Sequence, residues 1–180
     1  PSGEVPVLIG EAGTIAGHYA ISEWLEEKGG AIPLMPSSGL SRAEVRRISA
    51  WFDDKFHQEV GRLITVEKID RRFMGAEDGG GGPDMDVVRV GLHNLNLHLE
   101  YLTYLLQSRD WLAGGEMSLA DLTAAAHLSC LDYTGDVPWK LWPEMRDWYA
   151  RLKSRPSFRP LLADHVAGMR PPPYYADPDF

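Results

Sequence analysis

Short apolar runs separated by glycines at the start of the chain predict two strands followed by a helix. Residues 5–9 are mostly β-branched or apolar, residues 10–13 include two glycines, and residues 14–16 form a second apolar patch. Two such runs around a glycine-containing turn are typical of a β-hairpin. Residues 18–27 then carry apolar side chains at a helical spacing, and glycines 29 and 30 supply the stop.

A connector and a long helix are predicted next. Residues 31–40 contain two prolines, two serines and a glycine, which favours an extended connector and a domain boundary. Ser41 followed three positions later by Glu44 fits a capping box, so we expect the helix to begin there. Its buried stripe is predicted from apolar residues three or four positions apart. These residues are Val45, Ile48, Phe52, Phe56, Val60 and Leu63.

Four glycines at 79–82 separate this helix from a second one. A glycine run can cradle phosphate, but this one lacks both the preceding strand and the Lys-Ser/Thr ending of a phosphate-binding loop. A flexible connector is therefore the better interpretation. Apolar residues between 88 and 106 recur every three or four positions and predict a second long helix. Two long helices joined by a short turn are expected to pack antiparallel.

Further helices are predicted in the C-terminal half of the chain. Ser118 and Asp121 fit a capping box. The Ala-rich residues 122–131 carry so little charge that we expect a central, buried helix. A helix opening at a proline is predicted over 143–152, and residues 157–164 are compatible with a last short helix.

Composition limits the classes of protein and partner. Of the 180 residues, 44% are hydrophobic, which fits a folded domain and excludes a largely disordered chain. The 18 Lys and Arg residues against 26 Asp and Glu give a net charge of -8, so neither nucleic acid nor an anionic membrane is expected as a partner. No apolar run reaches the roughly 18 residues of a membrane span, so no membrane insertion is expected.

Neither cysteine nor histidine residues point to a disulfide or a metal. Cys130 is the single cysteine and lies in the Ala-rich segment, so we expect an inert, buried thiol. This cysteine usage favours a reducing cytoplasm. His93 and His98 are five positions apart and fall on different faces of one helix, so this pair predicts no metal site.

Positive charge is concentrated in and after the first long helix, where residues 41–75 hold eight Lys and Arg against six Asp and Glu. An ordinary solvated face is one interpretation. The other is a surface for an acidic partner, in which Phe73 and Met74 place apolar contact beside the charges. The candidate partner-binding cations are Arg46, Arg47, Lys68, Arg71 and Arg72.

The C-terminal residues 170–180 combine prolines, aromatic residues and acids. Prolines favour an extended chain, and the aromatic side chains carry apolar area that a purely solvating tail would not need. One interpretation is a tail that folds back on the protein. The alternative is a short linear motif that binds a partner. Its candidate residues are Tyr174, Tyr175, Asp177, Asp179 and Phe180.

The order of these elements resembles the cytosolic glutathione S-transferase family. Four motifs carry the resemblance: residues 3–8, which resemble a loop with a cis Val-Pro bond, residues 15–25, residues 118–121, and residues 155–158. The resemblance implies an α+β fold, with part of a thioredoxin-like N-terminal domain (cis-Pro loop, strand pair and helix) and an all-α C-terminal domain. The divisions are then 1–30 for the C-terminal half of the thioredoxin-like domain, 31–40 for the linker, 41–169 for the helical domain and 170–180 for the tail.

Two departures from that family bear on activity. The resemblance implies that Val5 and Pro6 would hold the glutathione backbone, and that a Glu/Gln-Ser pair would hold its γ-glutamyl end. Gly17 and His18 stand at those two positions. Because neither supplies the polar group of the family's pair, we expect glutathione binding to be weaker by about 2–4 kcal/mol. A lone His18 is more often a hydrogen-bonded neighbour than a catalyst. The thiol-activating residue of the family would lie upstream of Pro1, so no catalytic residue is assigned.

Within the superfamily, the chain is similar to the FtsZ-localised protein A group of alphaproteobacteria. Residues 51–56, residues 67–74 and the aromatic, acidic residues 174–180 carry this similarity. It implies a homodimer that binds the tubulin-like division protein FtsZ and is not known as an enzyme. FtsZ proteins are acidic, so a local basic surface would be needed on this acidic chain.

The resulting hypothesis is a dimeric binding protein that bridges FtsZ polymers in the cytoplasm at the division site, without a cofactor, and uses its tail for a second division protein. The first alternative is a glutathione-dependent transferase with an atypical γ-glutamyl site and glutathione as cosubstrate. A ligand-binding homologue with no division role is the second alternative.

Overall fold

The computed structural model describes residues 5–11, 13–30 and 32–177. Strands β1 (Val7–Gly10) and β2 (Gly13–Ala16) form an antiparallel pair in which Leu8 lies opposite Ile15. Helix α1 (His18–Lys28) follows. The Val5-Pro6 peptide bond is cis, as the resemblance implied. The predicted strand, strand and helix are therefore confirmed.

The connector after α1 is hydrogen-bonded both to α1 and to a later helix of the body. The Glu26 carboxylate of α1 accepts hydrogen bonds from the backbone N–H groups of Leu34 (3.0 Å) and Met35 (3.2 Å). The carbonyl oxygen of Leu34 in turn accepts from the N–H of Leu119, 3.0 Å away at the start of a later helix. Extended residues here pair their backbone groups individually, because no strand or helix does so for them.

The long helix begins earlier than predicted. Helix α2 spans Gly39–Ala50, and its N-cap is Ser38, which has extended backbone angles. The predicted capping box of Ser41 and Glu44 is wrong, because both residues lie inside the helix. The Glu44 carboxylate instead accepts hydrogen bonds from Arg47 and Arg109. Helix α2 continues directly into a π-helix, Trp51–Gly61, and then into helix α3, Arg62–Lys68. We call these three consecutive segments the rod.

The π-helix changes which residues face the core. Each of its turns holds more residues than an α-helical turn, because its hydrogen bonds run from i to i+5. The fully buried apolar side chains consequently recur every four positions: Phe52, Phe56, Val60 and Ile64. The predicted Leu63 is only partly buried, and Ile64 takes its place in the core.

Helix α4 (Met85–Leu106) packs antiparallel to this rod, as predicted. Its N-cap is Asp84, whose carboxylate accepts from the N–H groups of residues 86 and 87. Gly91 lies against Ile64, and a Cβ at position 91 would come within 2.8 Å of the Ile64 Cγ1 atom. Farther along α4, His98 contacts Trp51, which is earlier in the rod. The absence of a side chain at position 91 therefore permits the close approach of the two helices.

Helix α5 (Leu119–Tyr133) crosses the centre of the helical body. The predicted capping box is present, with Ser118 and Asp121 each bonded to the other's backbone. Asp121 is fully buried and also accepts hydrogen bonds from the N–H of Leu112 (2.9 Å) and the indole N–H of Trp148 (3.0 Å).

The prediction of a buried thiol is wrong, because Cys130 lies on the exposed side of α5.

Helix α6 (Pro143–Lys153) completes the body, with its proline in the first turn. The predicted helix at 157–164 is reduced to a short 3-10 turn, Leu161–Ala163. Other 3-10 turns are Asp70–Arg72, Ala76–Asp78, Trp139–Leu141 and Pro173–Ala176. Among the residues that the structure describes, no helix has both the length and the apolar character needed to cross a membrane.

Candidate functional site

The start of α1 is where the family resemblance implied contacts to glutathione. Gly17 has a φ of 90°, and its N–H donates to the carbonyl oxygen of Pro6 at 3.0 Å. Only glycine adopts this backbone conformation without strain. The next residue, His18, directs its Nε2 atom to an Asp53 carboxylate oxygen, 3.0 Å away. Thus position 17 provides no side chain, and the His18 side chain is engaged by the protein itself.

Asp53 connects three elements. Its second carboxylate oxygen lies 3.0 Å from Nε2 of His127 on α5, while Tyr19 of α1 contacts the same carboxylate. Burial by itself raises the pKa of Asp53, but the hydrogen bonds from His127, Tyr19 and His18 outweigh it and hold this pKa at about 2. Burial and the neighbouring Asp53 raise the pKa of Tyr19. This cluster therefore holds an ionised carboxylate between α1 and the helical body.

A second histidine cluster lies between the rod and α4. The Trp51 indole N–H donates to Nδ1 of His98 (3.0 Å), so Nδ1 is an acceptor and Nε2 carries the proton in the neutral ring. Nε2 lies 3.0 Å from the Glu59 carboxylate. Burial lowers the pKa of His98, although Glu59 opposes that effect. The described histidine, cysteine and carboxylate side chains form no group of three suited to a metal ion.

The first basic cluster is engaged within the molecule. Arg46 donates two hydrogen bonds to Glu23 of α1, at 3.0 and 2.7 Å. Arg47 donates to both oxygens of Glu44 (2.8 and 2.9 Å) and to the hydroxyl of Tyr101 (2.9 Å). The Arg47 hydrogen bond is the largest influence on Glu44, and together with Arg109 it lowers the Glu44 pKa to about 2. Both arginines are exposed and ion-paired, but Glu23 also pairs with Arg42 and Glu44 also pairs with Arg109, so the two carboxylates offset only two of these four positive charges.

The second basic cluster is divided by its contacts. Lys68 pairs with Asp136 at 2.5 Å, and Arg71 pairs with Glu67 at 2.7 Å. Arg72 donates to the carbonyl oxygen of Gly168 at 2.7 Å, an acceptor without charge, and no carboxylate among the described residues pairs with it. Of these three cations, Arg72 is therefore the one most able to attract an acidic partner.

Phe73 and Met74 form an exposed apolar surface directly after Arg72 in the chain. The Phe73 side chain is 61% exposed and that of Met74 is 42% exposed. Gly80 packs against the backbone that follows Phe73, since a Cβ at position 80 would be 2.0 Å from the Met74 carbonyl oxygen. The glycine run is thus part of a closed turn at this point and not only a spacer. We call Arg72, Phe73 and Met74 the Phe73 corner.

The tail folds back on the body as far as the structure describes it. Tyr175 is 3% exposed, and its ring meets that of Tyr133 at 5.1 Å in an edge-to-face arrangement. Tyr174 and Asp177 are more accessible and line a groove beside Trp139. A partner cannot contact the Tyr175 ring while the tail is in this position. Asp179 and Phe180 lie outside the described residues.

Sequence patterns did not single out an exposed apolar stripe on α4. Val90, Leu97 and Tyr104 are each more than half exposed, and they are seven residues apart. Seven residues correspond to about two helical turns, so the three side chains share one face. The interval was present in the sequence, but the buried face of the same helix has a similar period and gave the stronger signal.

Comparisons with known proteins agree with this architecture. Residues 83–156 match the family profile described as glutathione S-transferase, C-terminal domain. FtsZ-localized protein A of Caulobacter vibrioides is 46% identical over 184 residues, covering all of this chain and 79% of that protein. The crystal structure of a glutathione S-transferase from Rhodospirillum rubrum F11 is 47% identical, covering all of this chain and 80% of the other, with a TM-score of 0.92.

The structure of FzlA from C. crescentus is 45% identical and has a TM-score of 0.90, covering 97% of this chain and 76% of the other. Identity at this level over nearly the whole chain extends well beyond the shared C-terminal domain. The alignment with FtsZ-localized protein A covers all of this chain, and so includes the residues of the strand pair, the rod and the tail. The chain therefore belongs to the glutathione S-transferase superfamily, in the group of FtsZ-localized protein A.

Proposed function

We propose that this protein is a homodimeric binding protein of the bacterial division machinery, which binds FtsZ in the cytoplasm at the division site and bridges its polymers. The observation that carries the proposal is its 46% identity to FtsZ-localized protein A along the whole chain. A dimer presents two copies of each binding surface, so it can link neighbouring FtsZ subunits through individually weak contacts.

The start of α1 supports binding without glutathione transferase activity. A zwitterionic tripeptide needs placed polar groups at its γ-glutamyl end, and position 17 offers none. The His18 ring is hydrogen-bonded to the Asp53 carboxylate, and it would have to break this hydrogen bond to contact a ligand. Both features favour a transferase fold that serves as a binding scaffold.

The stripe on α4 supports dimerisation. Two copies of this helix related by a twofold axis at Leu97 would place Val90 of one copy opposite Tyr104 of the other. The same arrangement would bring His93 close to Glu100 of the other copy, where a ring N–H can donate to the carboxylate. An apolar seam with polar flanks is the pattern expected for an antiparallel helix pair.

The Phe73 corner is the proposed contact with FtsZ. Arg72 supplies positive charge that no carboxylate of the described chain pairs with, and Phe73 supplies an exposed aromatic ring beside it. Interfaces commonly use an aromatic anchor next to an arginine. Lys68 and Arg71 serve chiefly to hold this turn in place through their internal ion pairs.

Co-sedimentation with polymerised FtsZ at low and moderate salt tests the proposal. We expect binding by the unaltered protein and about a tenfold loss in Phe73→Ser, which removes the ring but leaves the Arg72 contact to Gly168 intact. Arg159→Glu, an exposed charge reversal elsewhere, is the matched control and is expected to bind normally. Absence of co-sedimentation by the unaltered protein would refute FtsZ binding, whereas equal binding by Phe73→Ser would refute this surface.

A glutathione-dependent transferase is the second candidate, favoured by the 47% identity to a protein named a glutathione S-transferase from Rhodospirillum rubrum F11. Calorimetric titration with glutathione and a conjugation assay with chlorodinitrobenzene distinguish the two. Micromolar glutathione binding together with conjugation would reject the non-enzymatic proposal. We expect neither.

A further inference from the structure

The C-terminal segment divides into a fixed part and a separately docked part. Tyr133 fixes the first part, because its hydroxyl donates to the carbonyl oxygen of Met169 (3.0 Å) and accepts from the N–H of Val166 (2.9 Å). Arg72 adds its hydrogen bond to the carbonyl oxygen of Gly168. Beyond these contacts come residues 170–172, Arg-Pro-Pro, and then the turn Pro173–Ala176.

The docked part closes over a buried lysine. Lys153, near the end of α6, has no exposed surface, and its Nζ atom donates to the carbonyl oxygen of Tyr174 at 3.0 Å. On its other side, Nζ lies 3.8 Å from a carboxylate oxygen of Asp132, which is also fully buried. The other Asp132 oxygen accepts from the indole N–H of Trp139 at 2.7 Å. The tail backbone therefore provides one of the groups that replace water around Lys153.

Opposing contributions act on this docked position. Burial of the Tyr175 ring against Tyr133 favours docking. Desolvation of Lys153 opposes it, since burial lowers the pKa of this ammonium group although Asp132 and Asp177 act in the other direction. Release of the tail would return water to Lys153, and this rehydration offsets part of the cost of exposing the Tyr175 ring.

Docking also completes a groove. Tyr174 and Asp177 form one wall of a groove of about 480 Å³, and Trp139, Leu141 and Arg146 contribute to the others. Removal of residues 173–177 would take away that wall and open the surface over Lys153. The tail position thus determines the shape of this part of the protein.

We propose that residues 173–177 are a detachable latch that closes on Lys153 and keeps the Tyr175 ring from a binding partner. Release at 170–172 presents Tyr175 and uncovers Lys153 while Tyr133 and Arg72 keep residues 166–169 attached. This inference rests on the proposed function only in naming the partner of the released tail, a second division protein. Docking itself needs no partner, so it can be tested on the isolated protein.

Acetic anhydride labelling of lysines, followed by peptide mass spectrometry, measures the accessibility of Lys153. Lys28 of α1 is exposed, does not line the groove beside the tail, and serves as the internal reference. In the unaltered full chain we expect Lys153 to react about a hundredfold more slowly than Lys28, because reaction requires the latch to open. Tyr175→Ser should raise the Lys153 rate at least about tenfold, whereas Tyr175→Phe, which keeps the ring, should not.

A chain ending at Pro172 provides a second variant that removes the latch without altering the body. Circular dichroism confirms that each variant is folded. Fast labelling of Lys153 in this shortened chain, with an unaltered Lys28 rate, is the result expected for a latch. Protection of Lys153 in both the shortened chain and Tyr175→Ser would overturn the proposal, as would equal labelling of Lys153 and Lys28 in the unaltered protein.

Discussion

The His18 ring of α1 and the Asp53 carboxylate of the π-helix lie 3.0 Å apart, and this contact joins the strand-and-helix segment to the helical body. Asp53 also holds His127 on α5. Substitution Asp53→Asn keeps the size of the side chain but removes its charge. We expect a decrease of about 1–2 kcal/mol in the free energy of unfolding, since the charge-assisted hydrogen bonds become ordinary ones or break.

Urea denaturation followed by tryptophan fluorescence measures this decrease. Asp54→Asn is the control, because Asp54 is the exposed neighbour on the same turn. An Asp53→Asn protein as stable as Asp54→Asn would show that the contact contributes nothing to the attachment of α1.

Acidification is expected to destabilise the protein through His98. Its pKa is lowered in the folded state by burial, so below the ordinary value of 6.5 the unfolded chain binds more protons at this residue. His98 therefore has no effect on the pH dependence of the unfolding free energy well above pH 6.5, and it lowers that free energy as the pH falls below 6.5. Unfolding free energies measured from pH 8 to pH 5 should decline more steeply for the unaltered protein than for His98→Gln, which does not titrate.

Close helix packing at Gly91 gives a third prediction. Gly91→Ala places a Cβ within 2.8 Å of Ile64, and overpacking of this kind costs about 1–3 kcal/mol. The better helix propensity of alanine returns about 1 kcal/mol. We therefore expect a net destabilisation of up to about 2 kcal/mol by thermal or urea unfolding. Gly39→Ala, where a Cβ meets nothing within 4 Å, is the matched control and should be neutral or stabilising.

The α4 stripe predicts how dimers can be disrupted. Leu97→Glu would place two carboxylates at the proposed twofold axis, where like charges repel and the apolar leucine pair is absent. Sedimentation velocity at micromolar concentration should then report monomers, with an unchanged circular dichroism spectrum. Arg159→Glu should leave the dimer intact. A Leu97→Glu protein that still sediments as a dimer would place the interface elsewhere.

Local patterns predicted those parts of the fold that depend on neighbours in sequence. The strand pair, the capping box of Ser118 and Asp121, and the periodic face of α4 all follow from residues within one or two turns of each other. The helix start at Ser38 was missed because Ser41 and Glu44 offered an equally good local cap. Cys130 was placed in the core because the Ala-rich helix shows little charge on any face.

Residues far apart in sequence determine the parts of the candidate site that were not predicted. Lys68 meets Asp136, 68 positions away, and Arg72 meets Gly168, 96 positions away. Neither pairing is visible in the local sequence. The sequence therefore could not show that Lys68 and Arg71 form internal ion pairs while Arg72 has no carboxylate partner among the described residues. The same reason hid the buried contact of Lys153 with the tail.

The π-helix at Trp51–Gly61 fixes how one half of the long rod is rotated relative to the other. An α-helix turns by about 100° per residue and a π-helix by somewhat less, so deletion of one residue here at unchanged winding would rotate everything after it around the rod axis by a comparable angle. Ile64 would leave the face that meets Gly91, and the Phe73 corner would point in another direction. The length of this segment is therefore an alignment constraint: it sets the direction in which the protein presents its proposed binding surface.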